Sequence, residues 1–191
     1  MRQTAQVLAG IALLAGCGAE PITTETTAGL RTRTAEAVQP FGAAVEQDLA
    51  TLRRATAPFQ QFAIASAADW SVPITSCMTD PDGAGAMGFH YGNVGLIDGS
   101  VSVDKPELLL YEPEQNGRLR LVAVEYIIPY TFHSRDAVAP KLFGQDFKQN
   151  DTFQLWGLHA WVWKENPSGM FASWNPRVTC VNTTAVSSMS H

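Results

Sequence analysis

The chain lacks the usual marks of a nucleic-acid partner, a membrane span or a familiar catalytic motif. Its 191 residues carry 13 lysines and arginines against 18 acidic side chains, and the basic residues are nowhere clustered. That balance excludes the basic patch on which binding to a phosphate backbone depends. No apolar run reaches the roughly 18 residues that a membrane-spanning helix needs. There is no GxSxG elbow, no HExxH, no P-loop and no GxGxxG after a strand. Cysteine is scarce too, with three residues in all, Cys17, Cys77 and Cys180. A chain of this length builds one domain around a real core and does not depend on many disulfides.

What is present begins with an address. Met1-Arg2 supplies a basic start, Val7 to Ala15 an apolar run, and Leu14-Ala15-Gly16-Cys17 a small-residue end. Those three parts describe a secretory signal, too short to span a bilayer. The Leu-Ala-Gly-Cys run resembles the lipobox of bacterial lipoproteins. The resemblance implies removal of residues 1–16, acylation of Cys17, and a lipid-anchored protein of the bacterial cell envelope that faces the periplasm or exterior. Its expected membrane contact is then the acyl chains on Cys17, since two or more chains anchor stably where one does not. With Cys17 acylated, Cys77 and Cys180 remain as a pair. In an oxidising compartment such a pair is most simply a disulfide.

Residues 17–40 are rich in Thr, Ala, Glu and Gly and lack aromatics, which predicts a flexible tether. From Phe41 the pattern changes. Phe41, Val45, Leu49 and Leu52 recur at helical spacing, and Pro58 opens a second short helix with Phe59, Phe62, Ala63 and Ser66 on one face. A helical hairpin over about 41–68 is expected. After Trp70 the vocabulary turns to Gly, Pro, Val, Tyr and Trp, and helical periodicity stops. Asp80 to Gly85 reads as a turn. Glu107–Glu112 and Arg118–Ile128 read as strands joined at Asn116-Gly117. Arg135 to Gln149 shows no clear period and reads as a long, partly ordered connection of the kind that often borders a site. The fold expected for 41–180 is α+β, a helical hairpin packed on an antiparallel, curved or barrel-like sheet, with 181–191 as a frayed tail.

In the second strand, strict alternation puts Leu119, Leu121, Ala123, Glu125 and Ile127 on one face. Glu125 thereby falls among apolar neighbours, where an unpaired carboxylate is costly. It must be protonated, paired, hydrogen-bonded or bound to a metal. Two histidines have comparable settings. His90 lies in Met87-Gly88-Phe89-His90-Tyr91. His159 lies in Phe153 to Lys164, where alternation gives one face to Phe153, Leu155, Gly157, His159, Trp161 and Trp163.

His90-Tyr91, Leu109-Leu110-Tyr111 and Val124-Glu125-Tyr126-Ile127-Ile128 resemble the central block of the oil-body-associated protein family. The chain is also similar to a group of uncharacterised bacterial exported proteins with MGxHY and HxWxWxxNPxG stretches, here Met87 to Tyr91 and His159 to Gly169. These resemblances imply a shared domain.

Two imidazoles and a carboxylate can occupy one face of a divalent ion such as zinc, iron, copper or manganese and leave positions open. His90, Glu125 and His159 are therefore candidate metal ligands. The same three side chains also suit a polar core network, and their spacing leaves both readings open. The aromatics offer a third, in which Tyr91, Trp161 and Trp163 line a pocket for a small ligand. Trp156 falls on the opposite face from Trp161 and Trp163. The functions in view are binding of a small ligand or metal ion, a metal-dependent enzyme built on the His-Glu-His set, or a structural envelope protein.

Overall fold

A computed structural model describes residues 41–183. Cys17, the signal, the tether and the end of the tail lie outside the described residues.

Helix α1 spans Ala43–Thr56 and presents Leu49, Leu52 and Thr56 to the interior. Glu46 in its first turn and Arg53 and Arg54 in its last complement the helix dipole. Burying Leu49 and Leu52 completely contributes about 1.5–3 kcal/mol each. A single 3-10 turn containing Pro58 leads to α2, Phe62–Ala67. On α2 the buried position is Ala65, whereas Ala63, expected on the inner face, is exposed.

The remaining elements form strands β1 (Val72–Thr79), β2 (Ala86–Gly92), β3 (Leu108–Pro113), β4 (Leu119–Pro129), β5 (Lys141–Leu142), β6 (Gln145–Asp146), β7 (Lys148–Asn150) and β8 (Leu155–Ala160). Six of them make one antiparallel sheet in the order β1-β2-β3-β4-β8-β7, curled into a half-barrel. The fold is thus α+β, with the helices against one face of the sheet. That side holds Leu49, Leu52, Tyr111, Val124, Tyr126 and Trp156 among its core residues. The other face is covered in part by the segment after β8, through Trp161 and Val178. Strand β4 is buried from Leu121 to Ile128 because it is covered on both faces.

Buried polar groups on the helical side find partners. The Tyr111 hydroxyl donates to the Phe59 carbonyl, Tyr126 to Val103, and the Trp70 indole to Pro106. Thr56 donates to the Leu52 carbonyl and accepts from the Trp163 indole.

Two expectations are corrected here. Alternation along β4 fails at Val122, where the register with β3 steps from Leu110↔Ala123 to Tyr111↔Leu121. This β-bulge turns Leu119 and Leu121 to the helical side while Ala123 and Ile127 stay on the other. The freed Val122 carbonyl accepts from the Trp163 and Lys164 amides. Next, β8 ends at Ala160, and the Val162 amide donates back to the Ala160 carbonyl, so the chain turns out of the sheet. Trp161 and Trp163 therefore do not share a face. Trp161 lies in the core opposite the helices, and Trp163 crosses to α1. The stretch from Arg135 to Gln149, expected as a long, partly ordered connection, carries the short strands β5 and β6 and the start of β7. Leu142 pairs with Gln145 across Phe143 (φ 53°) and Gly144 (φ 70°). Both central residues have positive φ, the geometry of a tight hairpin turn. Phe143 adopts it while buried against Tyr126 and Phe171.

Cys77 and Cys180 are bonded, with Cα atoms 5.7 Å apart. The bond ties β1 to the segment that covers the sheet. Glu112 adds to this clamp, pairing with Lys164 and accepting from the Thr179 amide.

Candidate metal centre

The face opposite the helices collects His90 from β2, Glu125 from β4 and His159 from β8. Glu125 and His159 are direct cross-strand partners. His90 is separated from Glu125 by the whole of β3, a gap of roughly 10 Å at normal strand spacing. The inward curl and the length of the glutamate side chain close that gap. His90 Nε2 stands 3.5 Å from Glu125 Oε2, and His159 Nε2 stands 3.7 Å from Glu125 Oε1. One ligand atom from each of the three lies within 4.8 Å of the others, and no other such cluster occurs among the described residues.

Local sequence makes room for this arrangement. Gly88 has φ +89° and passes so close to β3 that a Cβ there would sit 2.4 Å from the Tyr111 carbonyl oxygen. Gly157 matters more directly, because a Cβ on it would come 2.9 Å from Glu125 Oε1. Thr75 of β1 pairs with His90 in register, and its hydroxyl lies 2.8 Å from His90 Nδ1. That contact leaves Nε2 as the nitrogen facing the cluster. His159 stacks on Trp161 with ring centroids 6.2 Å apart and planes 11° from parallel. Its Nε2 is the one buried side-chain polar atom without a hydrogen-bond partner among the described residues.

Burial sets the protonation of all three. Relative exposure is 3% for His90, 7% for Glu125 and 7% for His159. Desolvation pushes His90 down to about 4, with a smaller opposing effect from the Gly88 backbone. Desolvation, then the positive charges of His90 and Lys148, push His159 down to about 3. Desolvation, then the negative charge of Glu107, raise Glu125 to about 8. Glu107 is itself raised to about 8, chiefly by desolvation, although it accepts from the Ile127 amide.

These shifts predict the pH dependence of stability in the metal-free protein. Between pH 6.5 and 8 the native state holds protons on Glu107 and Glu125 that the unfolded chain has lost, so stability falls as pH rises. Each carboxyl lowers it by about 1.4 kcal/mol per pH unit at the start of that window and by about half as much as pH reaches 8. Below pH 6.5 the unfolded imidazoles bind protons that the native ones refuse, which lowers stability as pH falls toward 4. From 4.5 to 6.5 the two effects oppose each other. Urea titrations should find the highest midpoint on that plateau and a clear drop by pH 8. A midpoint that stays level or climbs from 6.5 to 8 contradicts the assignment.

The cluster opens on a cavity of about 290 Å³ that reaches from β1 at one edge of the sheet to the β7–β8 turn at the other. Its wall includes Met87, Leu108, Ile127, Phe153, Leu155 and Trp174. Tyr91, Trp161 and Trp163, the candidate ligand-binding aromatics, are not in that wall. Tyr91 alternates with His90 and points to the helical side, against Phe62 and Tyr111. Trp163 is on that side as well, and Trp161 is buried behind His159 with its indole donating to the Ala172 carbonyl. Thr75, Gly157, Phe153 and Glu107 belong to the site or its surroundings and were not singled out from the sequence. Only Glu107 carried a visible signal, a charge at the edge of an apolar strand.

No family model matches this chain, and no curated protein or solved structure matches it at a significant level. Fold and site together define a curled antiparallel sheet with a His-Glu-His cluster at the floor of an apolar cavity.

Proposed function

We propose that His90, Glu125 and His159 bind a divalent transition metal ion through His90 Nε2, His159 Nε2 and the Glu125 carboxylate. One observation carries this reading, the buried and unpartnered His159 Nε2 aimed at Glu125. A polar network without metal would be held by hydrogen bonds of about 2.7–3.2 Å. The two His–Glu separations of 3.5 and 3.7 Å exceed that range. Two donors held about 2.0–2.2 Å from a common ion lie roughly 3–4 Å apart, which suits both separations. The imidazoles are neutral, the form that ligates, and metal would displace the proton from Glu125. The donor set suits zinc, iron, copper or manganese and leaves positions free toward the cavity.

The chain in this reading is a metal-binding lipoprotein of the bacterial envelope, held to a membrane by acylated Cys17. The lipobox run and the Cys77–Cys180 bond, which belongs in an oxidising compartment, support that location. The MGxHY and HxWxWxxNPxG stretches support membership of an exported family built on this domain. A second reading, a metal-dependent enzyme, is favoured by the opening of the centre onto a cavity.

The test is metal analysis of protein purified without added salts, followed by melting curves with each of the four ions. The proposal expects close to one ion per chain or a rise in melting temperature with at least one metal. Metal-free protein whose melting temperature ignores all four ions refutes it. A supporting result is expected from Thr75→Val, which frees His90 Nδ1. Loss of such a supporting partner should weaken metal affinity about 10–100-fold without unfolding the chain. Unchanged affinity would remove Thr75 from the site.

A further inference from the structure

We infer that the open side of this centre takes an apolar molecule with a single carboxylate head, which coordinates the ion while its body fills the cavity. The inference rests on the proposed metal centre and adds the class of ligand.

Charge decides the head. Two neutral imidazoles, one carboxylate and a divalent ion sum to a single positive charge, which one anionic group neutralises. The cavity wall contains no lysine or arginine and no acidic side chain besides Glu125; Lys148, whose charge reaches His159, lines a separate, smaller pocket that shares Glu125 and His159 with the cavity. A phosphate ester or a dicarboxylate would leave negative charge in an apolar cavity with no partner, and such charge is costly to bury. A neutral apolar molecule fills the cavity equally well but leaves the ion's charge unmatched.

The wall decides the body. Next to the centre stand Met87, Leu108 and Ile127, each less than one-tenth exposed. Polar wall groups apart from the ligands are few, and they are already engaged or lie at the rim. The Thr75 hydroxyl is taken up by His90, the Asn150 side chain accepts from the Phe153 amide, and Thr152 is exposed. A ligand body therefore meets mainly carbon and sulfur between the centre and the mouth, with the Trp174 indole and the Asn150 side chain as the polar exceptions. Met78 and Met87 in the wall adapt to bodies of different shape. At roughly 30 Å³ for each water-sized group, a cavity of about 290 Å³ holds about ten heavy atoms. That is the size of a medium-chain fatty acid or a small aromatic acid. Phe153, 47% exposed, adds apolar surface to the wall for the end of such a body.

The experiment is calorimetric titration of zinc-loaded and metal-free protein with octanoate, octan-1-ol and inorganic phosphate. Octanoate should bind the zinc-loaded protein at least tenfold more tightly than it binds the metal-free form. Octan-1-ol, which has the body without the charge, and phosphate, which has the charge without the body, should each bind at least tenfold more weakly than octanoate. Phe153→Glu changes an exposed side chain outside the ligand set. With both proteins loaded with zinc, it should weaken octanoate at least tenfold relative to the wild type. Protein that binds zinc but takes octanoate no better than phosphate, or no better than the metal-free form does, overturns this inference and leaves the metal centre standing. Protein that binds none of zinc, iron, copper and manganese overturns both; protein that binds another of these ions in place of zinc is titrated loaded with that ion, against the same outcomes.

Discussion

Replacing His159 by alanine is expected to abolish the stabilisation that metal confers, while the metal-free variant still folds. In the wild-type protein an ion at about 100 times its dissociation constant adds about 2.7 kcal/mol. For a domain of this size that is a rise of roughly 5–11 °C in melting temperature. His159 contributes one of only three protein ligands. Its loss should cost more than the roughly 10–100-fold in affinity attached to a supporting residue. His90→Ala should behave the same way. Glu125→Gln is the sharper variant. It keeps the shape of the protonated acid that burial favours, so the metal-free fold should be retained or slightly stabilised at pH 8. It offers no carboxylate to an ion, so the metal-dependent rise should vanish. Melting curves with and without metal decide the matter. Variants that keep the full rise would show that the ion, if any, binds elsewhere.

Breaking the Cys77–Cys180 bond is expected to have the largest effect on stability of any single covalent change. The bond joins residues 103 apart in sequence. Chain-entropy reasoning assigns about 4–5 kcal/mol to a loop of that length. The local consequence is equally specific. Cys180 belongs to the segment after β8, which also carries Trp161 and Trp174, while Cys77 lies between cavity residues Thr75 and Met78 on β1. Without the bond that segment is held by Glu112, through Lys164 and the Thr179 amide, and by its apolar contacts. The Cys77→Ser/Cys180→Ser variant should show a urea midpoint lowered in proportion to those kilocalories. Its tryptophan fluorescence should change before the main transition as the covering segment loosens. A shift under 1 kcal/mol would mean that the noncovalent contacts alone suffice.

The fold class was legible because it rests on patterns that survive local irregularity. Leu49 and Leu52 at helical spacing, and the strands on either side of Asn116-Gly117, specify a helix and a hairpin whatever surrounds them. The face of each side chain was less legible. One extra residue at Val122 reverses the alternation for everything before it, and nothing in Leu121-Val122-Ala123 announces a bulge. Glu125 was placed correctly because it lies beyond the irregularity, in step with Ala123 and Ile127. Trp161 and Trp163 were assigned to one face because alternation was extended past Ala160, where the chain turns. The sequence singled out the three members of the cluster through their setting, ionisable groups among apolar ones. Their convergence depends on the curl of the sheet across β3, a property of the whole sheet. Thr75 was invisible for a related reason, since the β1–β2 register contains several irregular steps.

The most direct test of the account is a crystal structure with diffraction recorded on both sides of the absorption edge of the metal found in the protein. The account predicts a single anomalous peak about 2.0–2.2 Å from His90 Nε2, His159 Nε2 and a Glu125 oxygen, on the cavity side of β4. Well-ordered density in which Glu125 hydrogen-bonds directly to a histidine, with no anomalous peak between them after soaking in metal, would contradict it.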